Sequence, residues 1–405
     1  MKAQWDIMVH MRGLTVKRAW IEAMVLVLVS GMGGICLGVQ YTVTDLGPNG
    51  SNDGAVTGIN NNGQVVGYTS IDYYAPMRAF LWTASGGMQN LATPPGAFST
   101  YATGINNSGQ IAGYVYDTNG STSSAYLWTT SGGMQDLGTL FYQISCVTTG
   151  INNSGEVVGW SQGSGPPTNG FTWTATDGMQ FLGLGTLSGT FYPHAINNSG
   201  HVAGGMYNDN GFLWAPGLPG SLYDSGLFDL GALPLDPDGG NASVAFGVND
   251  SDQVVGDSHT TGPFNASWHA FLWTVSGGMQ DLGTLGGLGG GVSRANGINN
   301  NGQVVGWSSN NSSGNSAFLY TATGGMQDLN DLIDPNSGLF LENAEAINDL
   351  GQIVGIGGAG GWGGNSHFFL LTPVPEPATL SLLALGALAL IRRRRKVIPP
   401  GRDIE

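Results

Sequence analysis

Five histidines are the side chains of the central region with the broadest chemistry, since imidazole can bind metals or transfer protons. They are His194, His201, His259, His269 and His367. No His-x-x-x-His pair and no mixed Cys and His cluster gives them the spacing of a zinc site. They also fall at different points of the repeat described below. We therefore expect them at surface or strand positions, not in a metal centre.

Two acidic loops concentrate the hard oxygen ligands that calcium prefers. Residues 236–241 read Asp-Pro-Asp-Gly-Gly-Asn, and residues 249–252 read Asn-Asp-Ser-Asp. Neither loop matches an EF-hand, because the later bidentate glutamate is missing. Turns also use Asp, Asn and Gly for backbone reasons alone. We therefore assign no metal or cofactor ligand and keep calcium as the alternative to a cofactor-free protein.

Aspartates and tryptophans recur at fixed positions. Asp136, Asp281 and Asp328 share one position, which favours a repeated structural hydrogen bond over several acid/base sites. The apolar neighbours of the tryptophans favour packing between repeats over a ring of sugar-stacking platforms. Five tryptophans share that position, with Tyr320 and Leu370 completing the series: Trp82, Trp128, Trp173, Trp214 and Trp273.

A second aromatic position follows the Val-Val-Gly segments. It holds Trp160 and Trp307 in two units and Tyr68 and Tyr114 in two others. These side chains lie nearer a strand end than the first series. They are therefore the better candidates for ligand contact.

The elements that position all these residues come from one unit written seven times. Its Gly-Ile-Asn signature, with Ala or Val at single positions in some copies, has its central residue at 59, 105, 151, 196, 248, 298 and 347. A spacing of 45 to 52 residues fits a four-stranded propeller blade. Each unit also contains four strand-like segments separated by turn residues, and residues 41–372 show no helical period of useful length. The sequence predicts an all-β fold, a single seven-bladed β-propeller with almost no helix.

The strand count predicts how the ring closes. The fourth segment occurs seven times, but one copy, at residues 41–47, precedes the first unit, and the seventh unit ends without its own. In a closed ring the N-terminal strand can complete the last blade beside residues 367–371 and leave no unpaired edge. A linear solenoid gives no reason for this permuted count.

The repeats resemble the extracellular HAF repeat family over nearly all of residues 41–371. The best copy is His-Ala-Phe-Leu-Trp at 269–273 with Gly-Met-Gln-Asp-Leu-Gly-Thr-Leu at 278–285. The histidine of this triplet, which gives the family its name, is replaced in five other units. It is therefore not an obligatory ligand in every blade. The resemblance supplies no catalytic residue. The five replacements are Arg78, Ser124, Asn169, Asn210 and Ser316.

The N-terminus has the layout of a secretory signal. Basic residues up to Arg18 precede an apolar run at 23–29 and then several small residues ending at Gly38. The start at Met1 or Met11 stays open. We expect residues 1–38 to be a signal peptide with a short apolar helix, and residues 39–372 to form the propeller.

The C-terminus has a motif, an apolar run and a basic cluster. Pro375, Glu376 and Pro377 precede apolar residues 380–391 and the cluster at 392–396. This end resembles the PEP-CTERM sorting signal, which implies recognition by a membrane enzyme called exosortase in bacteria that make extracellular polysaccharide. We expect a sorting signal with a short transmembrane helix at 373–396 and a short tail at 397–405. The alternative is a plain membrane anchor.

Charge and cysteine content restrict the partners. Residues 39–373 hold 22 acidic residues and two arginines, so their formal charge is −20. Such a surface repels nucleic acid, whose binding needs basic side chains. Cys36 lies in the predicted signal, so no internal disulfide is expected. Cys146 is expected at a buried strand position.

The sequence indicates an exported protein of the cell surface or extracellular matrix, anchored in the membrane before sorting. We expect a non-enzymatic binding or scaffolding module with exosortase and extracellular polysaccharide as partners, and we assign no catalytic residue. The alternative is a secreted polysaccharide-active enzyme. Spacing cannot identify its carboxylates, because residues from distant blades converge on the channel of a propeller.

Overall fold

The computed structural model describes residues 41–374 except 50–53, 71, 73–74, 141–142, 164–167, 183–189, 207–209, 220–225, 234–241, 263–264, 287–290, 311–313 and 360–364. Tyr41–Pro375 forms one compact unit. The predicted signal peptide, the predicted terminal helices and the tail lie outside the described residues. Pro375, Glu376 and Pro377 lie outside them too.

The described chain contains 28 strands, arranged as seven four-stranded antiparallel sheets. In chain order they are Tyr41–Pro48 (β1), Ala55–Ile59 (β2), Val65–Thr69 (β3), Arg78–Thr83 (β4), Gly87–Asn90 (β5), Ala97–Ile105 (β6), Ile111–Asp117 (β7), Ser123–Thr129 (β8), Gly133–Asp136 (β9), Ser145–Ile151 (β10), Val157–Gln162 (β11), Asn169–Thr174 (β12), Gly178–Phe181 (β13), Phe191–Ile196 (β14), Val202–Met206 (β15), Gly211–Trp214 (β16), Leu227–Asp229 (β17), Ser243–Val248 (β18), Val254–Gly262 (β19), Asn265–Thr274 (β20), Gly278–Asp281 (β21), Ser293–Ile298 (β22), Val304–Ser309 (β23), Asn315–Thr321 (β24), Gly325–Asp328 (β25), Leu339–Ile347 (β26), Ile353–Ala359 (β27) and Asn365–Pro373 (β28).

Blades 1 to 6 are consecutive groups of four strands, from β2–β5 to β22–β25, and blade 7 contains β26, β27, β28 and β1. The predicted seven-bladed propeller is confirmed. Within the described ranges the only helix is a short 3-10 turn, Leu329–Leu332, between blades 6 and 7. No helix of the described residues has the length and apolarity needed to cross a bilayer.

The chain closes its ring as the strand count predicts. Strand β1 pairs antiparallel with β28, from Tyr41 opposite Pro373 to Pro48 opposite His367. Leu46 of this strand joins a buried cluster in which Phe80 of blade 1 packs with Phe368 of blade 7. Hydrogen bonds and apolar packing therefore join the two ends of the propeller, and neither β1 nor β28 is left unpaired at this seam.

Each first strand contains a bulge that explains a recurring glycine. In β2 the register shifts between Val56 and Gly58, so Thr57 is left out of the pairing. The bulge crowds Gly67 on β3, where a Cβ atom would overlap the Ala55 carbonyl oxygen and approach the Phe80 ring. Only glycine fits there. The same crowding occurs in the other six blades, at Gly113, Gly159, Gly204, Gly256, Gly306 and Gly355.

The asparagine of the Gly-Ile-Asn signature joins its own turn to the next blade. Asn60 is 3% exposed, and its Oδ1 accepts from the backbone N–H groups of Asn62 and Gln64. Its Nδ2 donates to the side chain of Gln64 and, at 3.0 Å, to the carbonyl oxygen of Asn106 in blade 2. A buried amide needs all these partners, and here it has them.

This contact repeats around the whole molecule and returns to its start. Each signature asparagine donates to the carbonyl of the next, and Asn348 of blade 7 donates to Asn60 of blade 1 at 2.9 Å. We call these seven residues the inner asparagine ring. Its members are Asn60, Asn106, Asn152, Asn197, Asn249, Asn299 and Asn348.

The following residue of each signature forms a second closed ring. The backbone N–H of Asn61 donates to the Asn107 side chain at 2.9 Å, and the pattern continues until Asp349 donates to Asn61. This outer ring contains Asn61, Asn107, Asn153, Asn198, Asp250, Asn300 and Asp349. Both rings line a depression of about 160 Å³ on one face of the propeller.

Replacing Asn106 by Ala should destabilise the propeller by about 4 kcal/mol or more. The substitution removes four hydrogen bonds worth about 1 kcal/mol each and leaves buried groups without partners. Urea unfolding of the full chain measures the change. Asn119→Ala, in an exposed turn outside both rings, is the matched control. Equal stability of the two variants would contradict a stabilising role for the ring.

Candidate functional site

The bulged residues give the wall of the central channel a varied chemistry. The first strand of each blade contacts the first strands of both neighbouring blades, so it is the innermost strand and lines the central channel. One residue of each first strand lies outside the regular pairing, three positions before the inner ring asparagine. These seven residues are Thr57, Thr103, Thr149, His194, Phe246, Asn296 and Glu345.

Blades 1 to 3 use this position only for structure. The hydroxyl of Thr57 donates to the carbonyl of Ala102 in blade 2 at 2.9 Å. Thr103 bonds to the hydroxyl of Thr148 in blade 3 at 2.8 Å, and Thr149 donates to a carbonyl of its own blade. Blades 4 to 7 have an imidazole, a phenyl ring, an amide and a carboxyl group instead. One side of the channel wall therefore carries groups suited to binding or proton transfer.

Arg294 is the centre of this group, which we call the channel cluster: His194, Phe246, Asp257, Arg294, Asn296 and Glu345. Its Nε donates to Oδ2 of Asp257 in blade 5 at 2.6 Å. The guanidinium carbon lies 4.7 Å from the centre of the Phe246 ring. The Asp257 side chain is 3% exposed, whereas that of Arg294 is 42% exposed. The pair therefore has a buried anion that holds an accessible cation.

The titratable groups of the cluster have shifted pKa values. Burial raises the pKa of Glu345 to about 7, and the positive charge of Arg294 offsets part of that rise. Burial lowers the pKa of His194 to about 4, and the charge of Arg294 lowers it further. Burial also raises the pKa of Asp257, although Arg294 opposes this. Near pH 7 the cluster therefore combines a neutral imidazole with a carboxyl group able to give or take a proton.

Hydrogen bonds around Glu345 fix the orientation of its side chain. Nδ2 of Asn343 donates to Oε1 of Glu345 at 2.7 Å. Nδ2 of Asn296 donates to Asn343 and to the Ala344 carbonyl, so a chain of amides joins blades 6 and 7. Across the boundary between blades 4 and 5, the imidazole of His194 meets the Phe246 ring edge to face, with the ring centres 5.2 Å apart. The cluster is therefore positioned by contacts that cross three blade boundaries.

The second aromatic series lies beside residues of the first strands. Tyr68 and Tyr114 both contact the ring of Tyr101, with centroids 4.8 and 4.7 Å apart. Trp160 meets Tyr192 at 6.0 Å. Trp307 is opposite Arg294 in the pairing of β22 with β23. Three of the four predicted contact residues thus join aromatic pairs, and the fourth is next to the channel cluster in its sheet.

The remaining histidines have structural contacts. His269 bonds through Nδ1 to Asp281 at 2.9 Å, and His367 makes the same contact with Asp45 across the seam. His201 contacts Asp252 at 2.6 Å, and His259 packs against Trp268. His259, His269 and His367 lie on strands as predicted, whereas His201 lies in a turn with its side chain 13% exposed. His269 and His367 occupy the same point of the repeat, so the prediction that the histidines fall at different points is wrong for this pair. His194 is also on a strand, but it belongs to the channel cluster.

The recurring aspartates make the expected repeated hydrogen bond. Asp136 accepts from the backbone N–H of Gly138, and Asp281 accepts from that of Gly283. Asp328 accepts in the same way from Asn330. Burial raises the pKa of Asp281, but the hydrogen bonds from His269 and Gly283 lower it below the ordinary value overall. These carboxylates stabilise the turn after each fourth strand.

The first tryptophan series packs between blades as predicted, but Leu371, not Leu370, occupies the corresponding position of blade 7. Trp173 and Trp273 are buried within apolar clusters that join neighbouring blades. Trp82, Trp128 and Trp214 are partly buried against similar clusters. The prediction for Cys146 is also confirmed, since its free thiol is buried.

Of the two acidic loops considered for calcium, the structure describes only one. Residues 236–241 lie outside the described residues. In the other loop, Asp250 accepts from Asn198 and Asn300, and Asp252 accepts from Asn197. Its carboxylates therefore bind donors of neighbouring blades. No group of three or more His, Cys, Asp and Glu suited to a metal occurs among the described residues. Calcium binding stays the alternative to a cofactor-free protein.

Sequence reasoning missed most of the channel cluster. Arg294 is one of only two basic residues in the whole central region, and that scarcity was the available signal. A second signal was the change from Thr to other residue types three positions before the signature asparagine. Neither signal gives the contact between Arg294 and Asp257, which lie in different blades.

Comparison with known proteins identifies the C-terminal segment. Residues 373–396 match the family model of the PEP-CTERM protein-sorting motif. This is an exported propeller protein with a PEP-CTERM signal. The motif implies recognition by exosortase, in agreement with the sorting partner expected from the sequence. Among curated proteins, none matches the chain.

Several solved structures match the chain at low sequence identity and low TM-score. The aldose sugar dehydrogenase of Streptomyces coelicolor is 10% identical, with a TM-score of 0.36 and coverage of 83% of this chain and 99% of that one. The sialidase of Trypanosoma rangeli is 9% identical, with a TM-score of 0.39 and coverage of 90% and 65%. A lectin of Aleuria aurantia is 11% identical, with a TM-score of 0.34 and coverage of 82% and 99%. Enzymes and lectins both occur among them, so these similarities do not assign a function.

Replacing Glu345 by Gln should change how stability depends on pH. Between about pH 4.5 and 7 the folded chain keeps a proton on Glu345 that the unfolded chain has released, so this group loses its stabilising contribution as the pH rises. Glutamine has no such proton. The stability of Glu345→Gln relative to the native chain should therefore rise by roughly 2–3 kcal/mol from pH 5 to pH 8.

Urea unfolding at both pH values measures this difference. Glu342→Gln, the same change on the same strand, shows the effect of removing one acidic group outside the cluster. A relative stability of Glu345→Gln that is equal at pH 5 and pH 8 would contradict the assigned shift.

Proposed function

We propose that the protein is a non-enzymatic binding or scaffolding module of the cell surface or extracellular matrix. The observation that carries this proposal is the sorting motif at residues 373–396 on a propeller whose ring contacts are internally satisfied. A scaffold of this kind holds side chains in place without rearrangement, which lowers the entropy cost of binding. The channel cluster then supplies the polar and aromatic groups of a binding site.

The ligand class that best fits an exported, exosortase-sorted protein is extracellular polysaccharide. Sugars present hydroxyl groups and apolar ring faces, which the amides and aromatic rings near the channel can contact. The acidic balance of the central region argues against nucleic acid as a partner.

A polysaccharide-active enzyme is the second candidate, and one observation favours it. Glu345 has a pKa raised by burial to about 7, which suits a general acid at neutral pH. Asp257 adds a second carboxyl group to the same cluster. Glycoside hydrolysis uses such a pair of carboxyl groups on either side of the bond that is cut.

Binding to the host's extracellular polysaccharide, measured together with the release of new reducing ends, separates the two candidates. We expect the full chain to sediment with the polysaccharide and to release no sugar ends. Reducing ends that appear with the native chain and disappear with Glu345→Gln would establish the enzyme and contradict our proposal. If the chain neither binds nor cleaves, the polysaccharide is not its ligand.

Replacing Glu376 by Ala should prevent sorting. The substitution removes the only acidic residue of the motif, so the variant should stay in the cell envelope while the native chain reaches the surface or matrix. Fractionation and protease accessibility in the native host measure this. Asp403→Ala, in the tail beyond the motif, is the matched control. Surface delivery of both variants would show that the motif is not used.

A further inference from the structure

The guanidinium group of Arg294 is held on two sides and accessible on a third. Asp257 binds its Nε at 2.6 Å, and the Phe246 ring lies 4.7 Å from its central carbon. Both contacts restrict the rotation of a side chain that otherwise has several freely rotating bonds. Much of the entropy cost of ordering an arginine is therefore met before any ligand arrives.

The remaining donors of Arg294 belong to a side chain that solvent can reach. The side chain is 42% exposed although its partner is 3% exposed, and within the described residues Nη1 and Nη2 have no hydrogen-bond acceptor. Arg78, the other basic residue of the propeller, differs in this respect. Its Nη1 donates to the backbone carbonyls of Met77 and Phe98 and so serves the fold.

A guanidinium group with Nε occupied and both Nη atoms available presents parallel N–H groups to a planar anion. A carboxylate matches this arrangement with two nearly parallel hydrogen bonds. The surroundings select for low ligand charge, because Asp257 and Glu345 lie in the same cluster and the central region carries −20 overall. A single negative charge is therefore preferred over the two charges of a phosphate group.

We propose that Arg294 is the recognition residue of a carboxylate subsite in the central channel, and that the carboxylate belongs to a uronic acid residue of an extracellular polysaccharide. The choice of an acidic sugar as its source rests on the proposed function. Phe246 forms the apolar floor beneath the guanidinium group, and Asp257 is a positioning residue that acts through Arg294.

Calorimetric titration of the full chain in detergent tests the ligand class. Trigalacturonate is the probe, and its methyl ester has the same sugar rings without the charge. Inorganic phosphate tests for a general anion site. We expect binding of trigalacturonate at least 10-fold tighter than that of either other compound. Equal binding of the ester, stronger binding of phosphate, or no binding of trigalacturonate would overturn the proposal.

Two variants test the residue. Arg294→Lys keeps the charge but loses the parallel N–H pair, so trigalacturonate binding should weaken by about 10-fold or more, the scale of one charge-assisted hydrogen bond. Arg78→Lys is the same change at the other arginine and should bind like the native chain. Equal affinities for Arg294→Lys and Arg78→Lys would exclude Arg294 as the recognition residue.

A double variant guards against loss of folding. Removing Arg294 alone leaves the buried Asp257 without its partner, which is costly. Arg294→Gln with Asp257→Asn replaces the ion pair by two amides and should fold while losing trigalacturonate binding. If the folded double variant still binds trigalacturonate, the inference is wrong. If it loses trigalacturonate but still sediments with the host polysaccharide, the proposed function stands through other contacts.

Discussion

The propeller depends on a hydrogen bond that one buried asparagine makes to the next blade. A polar side chain 3–4% exposed must satisfy all its donors and acceptors, and in most blades the signature asparagine does so with its own turn, the residue four positions later and the neighbouring carbonyl. The same atoms therefore fix the turn and the spacing of the blades. In blade 4, His201 replaces the usual residue, and Asp252 of blade 5 accepts from Asn197 instead.

The inner asparagine ring and the seam close the propeller at different distances from its centre. The ring sets the contact between neighbouring first strands, where the blades are closest. At the periphery, the pairing of β1 with β28 prevents the chain ends from leaving an open edge. The Asp45 contact to His367 adds a polar link to that seam. The propeller is therefore closed both near its centre and at its periphery, without any disulfide among its described residues.

The sequence predicted the fold in detail because the fold is periodic. The Gly-Ile-Asn spacing predicted the blade number, and the early copy of the fourth segment predicted the seam. Trp173 and Trp273 were correctly assigned to packing, and Asp136 and Asp281 to turns. The channel cluster escaped prediction for the opposite reason. Arg294 and Asp257 meet because two blades face each other across a particular register, and no repeat signal contains that register.

The bulge in each first strand allows one residue of the repeat to vary while its neighbours maintain the fold. Its residue takes no part in the regular strand pairing, while the glycine opposite it and the asparagine three positions later hold the blade in place. Threonine, histidine, phenylalanine, asparagine and glutamate all occupy this position on the same backbone. The same backbone therefore accepts five residue types at this position, so the chemistry of the channel wall can differ from blade to blade while the backbone stays the same.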